Sequence, residues 1–302
     1  MGQRGLVGST YLAQGELRQE YADQIAPRTR AALERIFERI ALPAPRRVLD
    51  LGAGTGVVGE TVRTRWPGVD VVAVDRVAAP GIVAADVTRG VRPSGVSGRF
   101  DWVGAAHLLN ELPLDVQARA RLVAGWCTDL LDAQGVCILV EPALRETSRA
   151  LLEVRDRLLA GGLHALAPCP VQGPCPALHN PRDWCHDSAP AIVAGRSRVD
   201  FSYLVLARVQ PGQPNDDTYR ICSDPLKDKG RLRFFVCGRQ GRYQLVRLDR
   251  DRAAANQALD RAARGDLVRI AQAQPEAGGL RIGPHTQVAP VPLQPRDELM
   301  RR

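Results

Sequence analysis

Between positions 46 and 160 the apolar residues of this chain fall alternately into short unbroken runs and into spaced stripes. The runs cover 46–51, 70–75, 82–86, 100–105 and 135–141, and the stripes 56–65, 112–131 and 144–159. Short apolar runs bounded by glycine or charge read as buried strands, and stripes recurring every three to four residues read as amphipathic helices. Strands alternating with helices predict a parallel sheet covered on both faces. Ahead of them, Ile25, Ala32, Ile36 and Ile40 recur near helical spacing within 11–41, predicting one or two helices that Pro43 and Pro45 end.

The rhythm breaks over 162–198, which is rich in Pro, Gly, Cys and His and has little periodicity. Segments 200–209 and 231–237 then read as two further strands, the sixth and an antiparallel seventh of the same sheet. The Cys-rich stretch becomes an insertion before the sixth strand. From Gly265 the chain reads as short β structure or a loosely held extension. The expected division is a helical segment over 1–45, a cofactor-binding core over 46–161 and a Cys-rich insertion over 162–199. Final core strands over 200–240 and a basic extension over 241–302 complete it.

The first strand-like run leads into Asp50-Leu-Gly-Ala-Gly-Thr-Gly56 and then into a helical stripe. Gly52, Gly54 and Gly56 let the backbone pass close to a ligand where a Cβ would clash. The spacing differs from the G-x-G-x-x-G of dinucleotide-binding domains. Asp75, ending the second strand, suits hydrogen bonding to ribose hydroxyls, and Asp86 ends a third short run. Past the fourth strand, His107, Asn110 and Glu111 are polar candidates beside the ligand, able to orient a substrate or act as a base. The alternative is a capping role for Asn110 or Glu111 and a structural one for His107.

Seven cysteines are an odd number, and without a leader-like apolar stretch they do not read as a disulfide framework. Cys127 and Cys137 lie in apolar surroundings and read as core. Cys169, Cys175 and Cys185 lie in a polar, proline-rich stretch, with Cys222 and Cys237 downstream. Cys237 ends a strand-like run at a turn, which favours it over Cys222 as a fourth ligand; His164, His179 and His186 compete, since zinc accepts imidazole. Four thiolates suit Zn²⁺ or a cubane iron–sulfur cluster. The spacing lacks the two short hooks of a zinc ribbon.

At 302 residues and 45% hydrophobic content the chain has material for a sizeable core, and no run reaches membrane-spanning length. A cytoplasmic protein is the expectation, with no membrane partner. The net charge of +8 is unevenly placed, with thirteen Lys/Arg against six Asp between Tyr219 and Arg269. A basic second half points to a polyanion, most commonly RNA or DNA, against the alternative of an Arg-rich solvated surface.

The glycine motif and the acids that follow resemble class I S-adenosylmethionine (SAM)-dependent methyltransferases over about 46–142. Asp50–Gly56, Glu141-Pro142, Cys169-Pro, Cys175-Pro, Asp183-Trp-Cys185-His, Phe201-Ser-Tyr-Leu-Val-Leu and the run from Lys229 to Cys237 together resemble the small-ribosomal-subunit methyltransferase-like family, across most of 10–270. Asp187 departs from it, since relatives more often carry Phe there.

The resemblance implies an α/β fold: a seven-stranded, Rossmann-like methyltransferase sheet with an N-terminal helical segment, a Cys-rich cluster-binding insertion and a small basic C-terminal extension. It implies that Asp50, Gly52, Gly54, Gly56, Asp75 and Asp86 hold SAM, Asp50 meeting its amino-acid end and Asp86 its adenine. It also implies that Cys169, Cys175, Cys185 and Cys237 hold a 4Fe–4S cluster, with zinc as the alternative. The implied partner is small-subunit rRNA or an immature 30S particle, and the implied activity is rRNA methylation. The alternatives are a catalytically silent RNA-binding assembly factor and a zinc-containing methyltransferase of a small molecule.

Overall fold

The structure, a computed structural model, describes residues 23–212 and 216–291. The expected helical turns over 11–22 lie outside the described residues. Helix α1 (Ala26–Arg39) starts on Pro27, whose fixed φ suits the first turn, and ends at the extended Ile40. It buries Ala32, Leu33, Ile36 and Phe37. Phe37 meets Trp66 edge-on at 4.9 Å and Trp102 at 5.6 Å, tying the helix to the sheet beneath.

The first sheet runs β3-β2-β1-β4-β5-β8-β6, with β7 pairing β8 off the path. Its strands are β1 (Arg47–Leu51), β2 (Asp70–Asp75), β3 (Ile82–Ala84), β4 (Phe100–Ala106), β5 (Leu131–Pro142), β6 (His164–Ala167), β7 (Asp187–Val193) and β8 (Arg196–Ala207). Strands β1 to β5 pair parallel, whereas β8 runs antiparallel to β5, β6 and β7. Helices α1 and α2 (Val57–Arg65) pack on one face. Helices α3 (Val116–Gly125) and α4 (Arg145–Ala160) pack on the other. Asp115 caps α3 by accepting the Ala118 amide at 2.7 Å, so neither Asn110 nor Glu111 has that task.

Two sequence expectations are corrected here. The sixth strand is the four-residue β6, inside the stretch read as insertion, and β8 over 196–207 takes the antiparallel place beside β5. The Cys-rich loop therefore lies between β6 and β7–β8 rather than before the sixth strand. Four residues are too few for a period-two pattern to show.

The 231–237 run also belongs elsewhere. It is β11 (Arg231–Gly238) of a second sheet, ordered β14-β15-β12-β11-β9-β13-β16, with β10 (Leu226–Asp228) pairing β11. The others are β9 (Thr218–Ile221), β12 (Gly241–Leu248), β13 (Leu267–Ala271), β14 (Gln274–Glu276), β15 (Gly279–Ile282) and β16 (Gln287–Pro290). The later part of what the sequence offered as final core strands and the basic extension after it thus form a second sheet with its own core of Ile221, Phe234, Val236, Leu245, Val268, Ile270 and Ile282. Arginines alternate with apolar residues along these strands, and Arg247 lies buried against Asn256 and Asp260. Burying an arginine is tolerable only when it is paired in this way.

Candidate functional site

At the carboxyl edge of the first sheet the chain reverses after β1, and Gly52, Gly54 and Gly56 all take left-handed φ values of 69°, 56° and 82°. Only glycine adopts these freely. Gly52 has a second constraint, since a Cβ there would stand 2.8 Å from the Leu108 side chain. The Gly52 and Ala53 amides donate to the Val74 carbonyl, and the Gly54 amide donates to Asp75 Oδ2 at 2.9 Å. Asp75 Oδ1 accepts the Val77 amide at 3.0 Å. The turn and the acid ending β2 are therefore one bonded unit. Gly56 leads into α2 with no side chain capping its first amides.

Asp50 sits in β1 opposite Ala73 and Gly104, whose small side chains leave it room. It is 0% exposed, and neither carboxylate oxygen has a hydrogen-bond partner. Burial pushes its carboxyl up to about 7, opposed by the nearby Gly59 amide and Arg63, with Asp75 adding to the rise. An ionised carboxylate left this way is costly, so the position calls for a cation. Asp86 stands two residues beyond β3 and accepts from the Thr88 hydroxyl at 2.7 Å and the Thr88 amide at 2.9 Å. The Thr88 hydroxyl, opposed by burial, holds it below the usual carboxylate range.

The loop after β4 forms the next wall. His107 adopts φ 57°, its amide donates to the Val140 carbonyl at 2.7 Å, and its buried Nε2 has no partner. Burial, with Arg28, lowers its pKa to about 4, so the ring is neutral at physiological pH. Glu141, ending β5 and 2% exposed, accepts the Leu109 and Asn110 amides at 2.9 and 3.2 Å. In the orientation that satisfies its neighbours, the Asn110 amide donates to Glu141 Oε2 at 2.6 Å and to the His107 carbonyl at 2.9 Å. Burial pushes Glu141 up to about 8, opposed by those two backbone amides and by Arg119. Glu111 falls in the short 3₁₀ turn Leu109–Glu111. Glu141 is the residue that sequence reasoning passed over as a site member. Its signal was a single acid closing the apolar run Val136-Cys-Ile-Leu-Val-Glu141.

The Cys-rich loop is held by two arginines of α4. Arg155, 1% exposed, donates to the Gly173 carbonyl at 2.9 Å and to the Val171 carbonyl, and pairs with Asp156. Asp156 in turn accepts the Cys175 amide at 2.9 Å. Arg149 donates to the Ala177, Asn180 and Asp183 carbonyls at 3.3, 2.9 and 2.7 Å.

Five cysteines neighbour one another pairwise where this loop faces the second sheet. Cys175 is pushed up to about 12 by burial and by the neighbouring thiols of Cys169 and Cys185. Cys222 neighbours both Cys185 and Cys237. Arg220 reaches 3.1 Å from Cys185 Sγ and 3.9 Å from Cys222 Sγ. Cys237 stands across from Arg220 on β9 and Arg242 on β12. Among the described residues, no three His, Cys, Asp or Glu side chains stand in the geometry of a single metal-ion site. Asp187, the departure noted in the sequence, is 0% exposed and pairs with Arg220 at 3.2 Å.

Nine of the thirteen basic residues between Tyr219 and Arg269 are already ion-paired: Arg220, Arg231, Arg233, Arg239, Arg242, Arg247, Arg252, Arg264 and Arg269. Lys227, Lys229, Arg250 and Arg261 carry no ion pair among the described residues. No described helix is long and apolar enough to cross a membrane.

The chain is 30% identical over 187 residues to trans-aconitate 2-methyltransferase of Rhodopseudomonas palustris (strain BisA53), covering 55% of this chain and 72% of that protein. Among solved structures, it is similar to the plantazolicin methyltransferase BpumL in complex with SAH, at 15% identity and a TM-score of 0.34, over 50% of this chain and 64% of that one. It is also similar to LaPhzM, at 15% identity and a TM-score of 0.43, over 68% and 63%. The chain spans less than two thirds of the length of either solved structure. The model of the family described as mitochondrial small ribosomal subunit Rsm22 matches residues 16–269. With its methyltransferase sheet, its glycine turn and this match over most of its length, the chain belongs to the Rsm22 family and has the class I SAM-dependent methyltransferase fold.

Proposed function

We propose that this protein binds SAM at the glycine turn, carries an iron–sulfur cluster on its Cys-rich loop, and acts on the RNA of the small ribosomal subunit as a methyltransferase or methyltransferase-like assembly factor. The observation that carries the reading is the Asp50 carboxylate, buried and unpartnered at the foot of three left-handed glycines. The ammonium of the amino-acid end of SAM is a cation of the right kind for it. Gly52, Gly54 and Gly56 would pass close to the ligand, Asp75 would meet its ribose, and Asp86 would stand toward its adenine. When bound, SAM supplies an electrophilic methyl group on a sulfonium sulfur.

The donor chemistry of the Cys-rich loop, four thiolates with β11, suits a cubane cluster, with zinc as the alternative. One zinc ion needs its donors gathered about one point, at about 2.3 Å for each sulfur. A cubane cluster takes four thiolates, and Cys169, Cys175, Cys185 and Cys237 would supply them. With all four ligands supplied by the protein, the cluster has a structural role, shaping the face between the two sheets. The Rsm22 family description supports the small ribosomal subunit as partner.

A second reading has one observation in its favour. Asn110 is committed to Glu141 and to the His107 carbonyl, which leaves one fewer polar side chain after β4 free to contact a substrate. That favours a SAM-binding assembly factor without transfer. Titration calorimetry with SAM, alongside labelled methyl transfer to immature small-subunit particles, separates the readings. Binding with transfer supports the enzyme, binding without transfer supports the assembly factor, and no binding overturns both.

A further inference from the structure

Arg220 enters the region between the two sheets from β9 and is 2% exposed. One nitrogen, Nη1, donates to Cys185 Sγ at 3.1 Å and lies 3.9 Å from Cys222 Sγ. The other, Nη2, meets Asp187 Oδ2 at 3.2 Å and the His186 carbonyl at 3.4 Å. The ladder sets its Cα opposite that of Cys237. A guanidinium keeps its charge under all conditions met by a folded protein. This one is fixed between sulfur on one side and a carboxylate on the other.

Asp187 is immobilised in its turn. Its Oδ1 accepts the Ser188 amide at 2.8 Å, and its Oδ2 lies 3.8 Å from Arg39 Nε. Any side chain at Gly265 would collide with it. Arg39 is engaged elsewhere too, with Asp266 and with the Arg264 carbonyl. The carboxylate behind Arg220 can therefore neither swing toward the thiols nor leave.

We propose that Arg220 is a positioning residue for the sulfur site, a buried counter-charge whose N–H···S bond to Cys185 raises the reduction potential of the cluster, with Asp187 limiting the rise. The inference rests on the iron–sulfur reading above. Charge close to a cluster and hydrogen bonds to its sulfur ligands are among the protein's means of setting its potential. Adding an electron to a cluster held by four thiolates adds negative charge, and a fixed cation favours that reduced state. Asp187, one bond further out, opposes it.

The two residues thus predict shifts of opposite sign. The test is potentiometric titration of the anaerobically purified full chain with dithionite, followed by electron paramagnetic resonance, with iron and acid-labile sulfide measured on every sample. Asp187→Asn, nearly isosteric, is expected to raise the midpoint potential. The double variant Arg220→Met/Asp187→Asn, which leaves no unpaired buried carboxylate, is expected to fall below Asp187→Asn at equal iron content. A downward or absent shift in Asp187→Asn, or a double variant matching it, overturns the role of Arg220 while leaving the cluster in place. Wild-type protein without iron and sulfide overturns the cluster reading itself.

Discussion

Nη1 of Arg220, on the second sheet, lies 3.1 Å from the Sγ of Cys185, in the loop that leaves the first. That contact joins a loop which the sequence offered as an insertion to a strand it offered as part of the first sheet's core, and which the fold places in a second sheet. It also places a permanent cation beside the thiols of Cys185 and Cys222. The predictions below follow from this arrangement and from the glycine turn.

Asp50→Asn is expected to remove the pH dependence of SAM binding. In the free protein the Asp50 carboxyl is raised to about 7, so it is protonated at lower pH. The cation of the ligand favours the ionised form, so affinity should rise roughly tenfold per pH unit below about 7 and level off above it. The sign for stability is opposite. A carboxyl with a raised folded-state pKa stabilises the ligand-free fold at low pH, and that contribution is lost as pH rises from about 4 to about 7. Calorimetry from pH 5 to 8 checks the first expectation, and thermal unfolding over the same range checks the second.

Gly52→Ala and Gly56→Ala should differ. Both positions have positive φ, which costs an alanine about 1–2 kcal/mol. At Gly56 the added Cβ meets nothing within 4 Å, whereas at Gly52 it meets Leu108 at 2.8 Å. Gly52→Ala should therefore lose more stability and displace the loop carrying His107. Equal unfolding midpoints would show that the Leu108 contact yields without cost.

Arg149→Met removes a donor shared by the Ala177, Asn180 and Asp183 carbonyls. A cost of about 1–3 kcal/mol is expected, with faster proteolytic cleavage over 176–183 and weaker iron retention. Urea unfolding and timed digestion report the first two.

Cys237→Ser should abolish the broad visible absorption of anaerobic protein and its iron content, whereas Cys222→Ser should retain both. Cys222 is 3% exposed, and its thiol donates to the Arg220 carbonyl at 3.4 Å, as a core thiol does. The opposite result would exchange their roles.

RNA affinity should depend on salt less steeply than the basic composition implies. Thirteen phosphate contacts would give a log–log slope of about −9 on single-stranded RNA, and four give about −3. The four are Lys227, Lys229, Arg250 and Arg261, since the remaining nine are ion-paired within the chain. Substituting each of the four with Gln should reduce the slope by slightly less than one.

The sequence by itself determined the parallel half of the first sheet. Its central strands β1, β4 and β5 are largely buried on both faces, so each contains a continuous apolar run. Gly52, Gly54 and Gly56 were legible for a similar reason, because a left-handed turn admits almost no other residue. The second sheet was not legible. Arg220, Arg233 and Arg247 lie at strand positions that read as solvent-facing, and only the carboxylates of Asp187, Asp228 and Asp260, brought in by the fold, permit them to be half-buried or buried. Asp50 was chosen for its place before the glycines, yet its lack of any partner is a property of the packed interior. Glu141, Arg149 and Arg155 belong to the same class. Their work is done on backbone groups distant in sequence, so no local spacing marks them, and tertiary structure alone decided what they hold.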